Sequence, residues 1–245
     1  PALVNAHAHL DLTHLGPRPA VGSFIDWIRM VRGGRASEAG AIADSVQLGV
    51  ERSLAGGTAI IGDIAGIGST APVHALRKSP LWGVSYLEHF GLADQQTEAV
   101  ARMGSMIAEV SGEEDGVRLG LQPHAPYSCG LELYAAAAAS GLPVATHLAE
   151  TPAEEAFTRH GSGPFAEFLA SLGLWNLDAP GQGPLADMIV SGPGEGQLDL
   201  IEEASNQHTL AHVRLLEGDL EGAESAISHA VDIATTFDAT LHSLS

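Results

Sequence analysis

The sequence predicts an α/β fold in which β-strands and α-helices alternate around a parallel sheet. Short apolar runs rich in Val, Ile and Leu alternate with longer stretches of helical periodicity over the first 175 residues. Helix-capping residues and glycine pairs separate several of these segments, as expected of βα units. The length of 245 residues is also close to that of a complete α/β barrel, about 250 residues.

The first unit opens the chain. Residues 3–9 form the first apolar run, and a polar loop that carries Phe24 and Trp27 follows it. The helix after this loop is expected to begin at the N-cap Ser37 and to end at the Gly56-Gly57 pair.

The later units follow in the same order. The predicted segments are TAIIGDIAG (strand), HALRKS (short helix), WGVSYLEHFG (strand), residues 94–110 (helix), VRLGLQPHAP (strand), LELYAAAAASG (helix) and PVATHLAET (strand). A further helix begins in TPAEEAFTRHG, with Thr151 as its N-cap and Pro152 in its first position. Five βα units are therefore expected by residue 175.

The pattern changes after residue 176. Residues 177–200 are rich in Gly and Pro, which indicates a linker. Residues 201–245 are helical in pattern and break at Gly218-Asp219, so we expect two antiparallel helices, weakly similar to a tetratricopeptide-like hairpin. The expected organisation is a partial barrel (1–176), a linker (177–200) and a helical hairpin (201–245).

Composition excludes several classes of partner. The 11 Lys and Arg against 30 Asp and Glu give a formal charge of -19, which repels nucleic acids and anionic membranes. The single cysteine, Cys129, cannot form an internal disulfide, and no run of about 18 apolar residues could span a bilayer. We therefore expect a cytoplasmic protein that acts on a small molecule, and the start at Pro1 suggests a piece of a longer protein. The sequence does not decide between a monomer and a homo-oligomer.

Two histidines at the end of the first strand suggest a metal site. His7 and His9 are two residues apart, so a strand would point both imidazoles to one side. Imidazole is the commonest side-chain ligand of zinc. The alternative is two ordinary histidines, exposed or satisfied within the core.

Two further motifs supply candidates for the same site. His147 ends the predicted fifth strand and would add a third imidazole, and Glu150 follows as a candidate proton carrier. His124 ends the fourth strand and could hydrogen-bond to a substrate. The alternatives are that Glu150 only stabilises the next helix through the helix dipole, and that His124 only orders a loop.

The motifs NAHAHL, GLQPHAPYS and THLAETPAEE, in this order, resemble the amidohydrolase superfamily. The branch they resemble holds cytosine-deaminase-like, S-adenosylhomocysteine-deaminase-like and chlorohydrolase-like enzymes, and the resemblance covers residues 1 to about 175. It implies a TIM-type barrel with one divalent metal ion, Zn or Fe. It also implies that His7, His9 and His147 bind the metal, that Glu150 shuttles protons and that His124 contacts the substrate.

The resemblance also requires a histidine after the sixth strand and an aspartate after the eighth. His212 in TLAHVRLL is a tolerable match to the histidine. Asp238 is rejected as the aspartate, because the 26 residues after His212 are too few for the intervening strands and helices.

The sequence thus predicts a metal-dependent hydrolase in which metal-bound hydroxide attacks a C–N or similar bond of a small, heteroaromatic substrate. Trp27, with Phe24, either stacks on this substrate or packs on the barrel rim. Glu88 and Asp63 are weaker candidates that support the site or order a loop. The alternative is an inactive, truncated or chimeric fragment of such an enzyme, with a helical tail that binds a partner.

Overall fold

The structure is a computed structural model that describes residues 2–19, 22–66, 68–112, 116–148 and 150–175. The chain divides into two compact units. The first contains the residues up to His147 together with Ser171–Trp175, and the described part of the second is Leu148–Ala170. The predicted linker and helical hairpin, with His212 and Asp238, lie outside the described residues.

A parallel sheet of four strands forms the first unit, and its strands are adjacent in chain order. The strands are β1 (Leu3–Ala8), β2 (Thr58–Ala65), β3 (Trp82–His89) and β4 (Val117–Pro123). Their carboxyl ends lie in register, with Ala8 opposite Asp63 and Glu88 opposite Gln122. This sequential parallel order is that of a barrel wall, and it confirms the predicted α/β fold.

Five α-helices connect or follow these strands. They are α1 (Phe24–Gly34), α2 (Ala39–Ala55), α3 (Ala71–Arg77), α4 (Gln96–Val110) and α5 (Leu131–Ala139), with 3-10 helices at Leu10–Leu15 and Ala93–Gln95. One core packs α4 and α5 on β3 and β4, with Leu87, Met103 and Leu121 at its centre. A second core packs α2 and α3 on β2 around Val46, Ile61 and Leu76. The helices therefore pack on β2, β3 and β4, whereas β1 is largely exposed.

Helix α1 replaces part of the loop that the sequence was expected to form after the first strand. Ser23 accepts a hydrogen bond from the backbone of Asp26, and the Asp26 carboxylate accepts one from the Ser23 backbone. This reciprocal capping box starts a helix that buries Ile25 and Val31. The prediction of a polar loop around Phe24 and Trp27 was therefore wrong.

Two other predicted boundaries also differ from the structure. Helix α2 has Glu38 rather than Ser37 as its N-cap, although its C-cap is Gly56, where the helix was expected to end. The predicted fifth strand is reduced to a single parallel bridge between Leu121 and Val144. Backbone hydrogen bonds still join this segment to β4, since the Ala145 N–H donates to the Leu121 carbonyl at 2.9 Å, and the His147 N–H donates to the carbonyl of His124, just after β4, at 2.8 Å. His147 is thus held beside the end of β4 without a regular strand.

The second unit contains α6 (Pro152–His160) and most of α7 (Pro164–Ser171). Thr151 caps α6 by accepting a hydrogen bond from the Glu154 backbone at 3.2 Å, as the sequence predicts. Gly161 ends the helix in the left-handed conformation. The fully buried rings of Phe157 and Phe165 pack together between the two helices.

Among the described residues, no helix combines the length and the apolarity needed to cross a bilayer.

Candidate metal centre

Three imidazoles meet at the carboxyl end of the sheet. His7 lies in β1, His9 follows its last residue, and His147 lies beside β4. Their ring centroids are 5.1–5.3 Å apart in every pairing. The Nε2 atoms of His7 and His9 are 3.3 Å apart. These three residues are called the histidine cluster below, and the structure brings them together as the sequence predicts.

The surroundings of two of these histidines, His9 and His147, favour neutral rings. Burial, together with the neighbouring His147 and His7, lowers the pKa of His9 to about 3. Burial and His7 lower the pKa of His147 to about 4. A neutral imidazole keeps one nitrogen with a free lone pair, which is the form that binds a metal.

The donor set fits a divalent metal ion. One ring nitrogen from each of the three histidines lies within 4.8 Å of the other two. The Nδ1 atom of His9 is buried and has no hydrogen-bond partner among the described residues. Three imidazole nitrogens that converge in this way are ligands suited to Zn or Fe.

His124 lies beside this cluster, after the last residue of β4. Its ring is 5.2 Å from the His147 ring and stacks on Phe90 at 4.2 Å. Ser128 contacts the Nδ1 atom of His124 at 2.7 Å, and burial lowers the pKa of His124 well below its usual value. Phe90 and Ser128 thus fix the ring orientation. Sequence reasoning did not single out either residue, although Ser128 ends the GLQPHAPYS motif.

Three buried carboxylates and one arginine form a second group, called the carboxylate cluster below. Its members are Asp11, Asp63, Glu88 and Arg35. Arg35 donates a hydrogen bond to Glu88 Oε2 at 2.9 Å, and its Nε lies 3.8 Å from Asp11 Oδ2. Glu88 Oε1 is 3.8 Å from the Nε2 atom of His124. The carboxylate cluster therefore adjoins the histidines.

Asp63 has hydrogen-bond partners on both carboxylate oxygens. The Leu10 N–H donates to Oδ1 at 3.0 Å, and the Ser85 hydroxyl donates to Oδ2 at 3.1 Å. Burial nevertheless raises the pKa of Asp63 to about 7. Burial also raises the pKa of Asp11, although Arg35 opposes this shift. Glu88 and Asp63 were weaker candidates from the sequence, and Arg35 and Asp11 were not identified.

Glu150 and Trp27 were also predicted as site residues, and neither is part of the histidine cluster. Glu150 belongs to the second unit, where its backbone N–H donates to the Glu154 carboxylate at 2.7 Å. Trp27 lies on α1, is 44% exposed and stacks on Phe24 at 5.4 Å. The catalytic role of Glu150 and the substrate contact of Trp27 stay predictions.

Comparison with known proteins shows the family of the chain. The sequence matches the amidohydrolase family over residues 1–241. The chain belongs to this family. The match extends beyond residue 175 and takes in His212, so it does not support the alternative that the tail is foreign to an amidohydrolase.

The curated relatives are named deaminases, and so are several of the solved structures with a similar fold. The chain is 30% identical over 233 residues to an aminodeoxyfutalosine deaminase of Deinococcus radiodurans, covering 87% of this chain and 51% of the relative. The chain thus spans about half the length of this curated relative.

Two solved structures share the fold. One is Helicobacter pylori aminofutalosine deaminase in complex with methylthio-coformycin, with a TM-score of 0.61 and 24% identity over 76% of this chain and 45% of that chain. The other is an adenosine deaminase from Xanthomonas campestris with bound zinc, with a TM-score of 0.55 and 20% identity over 71% of this chain and 42% of that chain.

Proposed function

We propose that the protein is a metal-dependent hydrolase that removes an amino group from a small heteroaromatic substrate. The observation that carries this proposal is the convergence of His7, His9 and His147, whose ligand nitrogens lie within 4.8 Å of one another. Membership of the amidohydrolase family and similarity to deaminases support it. A divalent metal ion held by these imidazoles, Zn or Fe, would supply Lewis acidity at this end of the sheet.

The protein's own side chains have distinct roles in this proposal. Glu150 takes a proton from the attacking water and delivers it to the leaving amino group, so a C–O bond forms, the C–N bond breaks and ammonia leaves. His124 contacts the substrate through the ring edge that Ser128 leaves open, because Ser128 occupies its Nδ1 atom. The exposed ring of Trp27 offers a flat surface on which a heteroaromatic ring could stack.

Ammonia release tests this proposal. The substrates are adenosine and aminodeoxyfutalosine, since the similar proteins are named for them. We expect the zinc-loaded chain to release ammonia from at least one of them, and Glu150→Gln to lower kcat by about 100-fold or more. The matched control is Glu98→Gln on α4, whose side chain is 84% exposed and should leave kcat unchanged. Equal rates for Glu150→Gln and the unaltered chain, or no ammonia from either substrate, would contradict the proposal.

A further inference from the structure

A second set of potential metal ligands overlaps the histidine cluster. The Glu88 carboxylate, His124 and His147 each place one ligand atom within 4.8 Å of the other two. This mixed set shares His147 with the histidine cluster. A neutral imidazole has only one nitrogen with a free lone pair, so an ion bound in one set takes His147 away from the other. The two sets therefore compete for a single ion.

Charge alone would favour the mixed set. The histidine cluster offers only imidazole nitrogens, whereas the mixed set includes a carboxylate that is 2% exposed. The attraction between a cation and a carboxylate is strong where water is excluded. Without another charge nearby, a divalent ion would be drawn to Glu88.

Arg35 supplies that other charge. Its guanidinium donates to Glu88 Oε2 at 2.9 Å, and its side chain is only 14% exposed. Asp11 lies on the other side of the guanidinium, with Oδ2 3.8 Å from Nε. Arginine stays protonated in proteins, so this cation is permanent. It neutralises Glu88 and repels a metal ion that approaches the carboxylate.

We propose that Arg35 determines which ligand set holds the metal: by pairing with Glu88 it directs the ion to His7, His9 and His147. Arg35 is thus a positioning residue that acts through Glu88. The inference rests on the proposed metal-dependent function, and it assigns to this arginine a role in choosing the metal ligands.

Zinc affinity, measured by competition with a chromophoric chelator, tests the inference first with Arg35 intact. We expect His7→Ala to weaken zinc binding at least tenfold, and the isosteric Glu88→Gln to change it less than about threefold. A loss of affinity in Glu88→Gln as large as that in His7→Ala would overturn the inference. This comparison needs no change at Arg35.

The second comparison repeats both substitutions with Arg35→Met, after circular dichroism has confirmed folding. In this background we expect zinc affinity to depend on Glu88 instead of His7. Glu88→Gln should then weaken zinc binding at least tenfold, and His7→Ala should change it less than about threefold. Arg35→Lys keeps the positive charge and should retain the original pattern. Arg29→Met, which removes an exposed arginine that pairs with Asp26 on α1, is the matched control and should also retain it.

The outcomes separate the two proposals. If zinc binding depends on His7 in every background, including Arg35→Met, the inference fails and the proposed function stands. If the chain with no substitution binds no zinc, both fail. If Arg35→Met does not fold, the comparison with Arg35 intact decides.

Discussion

The histidine cluster and the carboxylate cluster lie at the same end of the sheet, but their polar atoms are satisfied in different ways. In the carboxylate cluster, Asp63 accepts two hydrogen bonds and Glu88 pairs with Arg35. In the histidine cluster, the ring nitrogens of His7 and His9 face each other, and His9 Nδ1 has no partner among the described residues. Except for Asp11 Oδ1, which has no hydrogen-bond partner among the described residues, the carboxylate cluster is satisfied by the protein itself, whereas the histidine cluster has the nitrogen ligands that an added ion requires.

This difference separates stability from function. A buried charge that loses its partner destabilises the folded protein strongly. A site formed by imidazole rings adds the free energy of metal binding to folding only when an ion binds. In the metal-free protein, substitutions in the carboxylate cluster should therefore lower stability, whereas substitutions in the histidine cluster should have little effect on it.

The largest expected effect on the free energy of unfolding comes from a substitution that breaks the carboxylate cluster. Arg35→Met leaves Glu88 and Asp11 buried without their cation, so we expect the free energy of unfolding to fall by about 3–5 kcal/mol. The exposed His7→Ala should change it by less than about 0.5 kcal/mol in the metal-free protein. Urea unfolding without metal measures both values. Equal losses in the two variants would remove the distinction between the clusters.

A smaller effect concerns pH and Asp63. Below about pH 4 this carboxyl is protonated in both the folded and unfolded states. Between about pH 4 and pH 7 the unfolded state loses the proton while the folded state keeps it, because the folded pKa is about 7. The contribution of Asp63 to stability is therefore full at low pH and lost as the pH rises.

Asp63→Asn measures this contribution. Its free energy of unfolding, relative to that of the unaltered chain, should rise between pH 4 and pH 7 by at most about 4 kcal/mol. Urea unfolding at several pH values gives the difference, in which the effects of the histidines cancel. A difference that does not change with pH would show that Asp63 is ionised in the folded protein.

The smallest effect concerns packing around the carboxylate cluster. A Cβ atom on Gly66 would collide with Asp11 Oδ2 and lie 3.2 Å from Arg35 Nη1. We therefore expect Gly66→Ala to lower the free energy of unfolding by about 1–3 kcal/mol. Gly104→Ala on α4, where a Cβ atom meets nothing within 4 Å, should instead raise it by about 0.5–1 kcal/mol. Thermal unfolding that ranks the two variants in the opposite order would contradict this packing argument.

The strands and the pairing of His7 with His9 could be predicted because their signals are local, whereas the assignment of His147 to the same site relied on the resemblance of the THLAETPAEE motif to the amidohydrolase superfamily. Alternating apolar runs mark β2, β3 and β4, and the HxH spacing places His7 and His9 on one side. Helix α1 was missed although its signal is also local, since the Ser23 and Asp26 capping box lies within a segment interpreted as a loop.

The carboxylate cluster could not be predicted in the same way. Arg35 and Glu88 are 53 residues apart, and no spacing rule relates the end of a helix to the end of the third strand. The position of Arg35 at the C-terminal end of α1 lets its side chain reach Glu88 at the end of β3. Glu88 was a candidate because it ends a strand, but only the structure supplies Arg35 as its partner.

Metal content per chain tests the central claim most directly. We predict that the purified chain retains about one equivalent of zinc or iron by plasma emission, and that His7→Ala loses it. His74→Ala, on α3, is the matched control and should retain the metal. Failure of the unaltered chain to hold a divalent metal after its addition, or full retention in His7→Ala, would contradict the assignment of the histidine cluster as a metal centre.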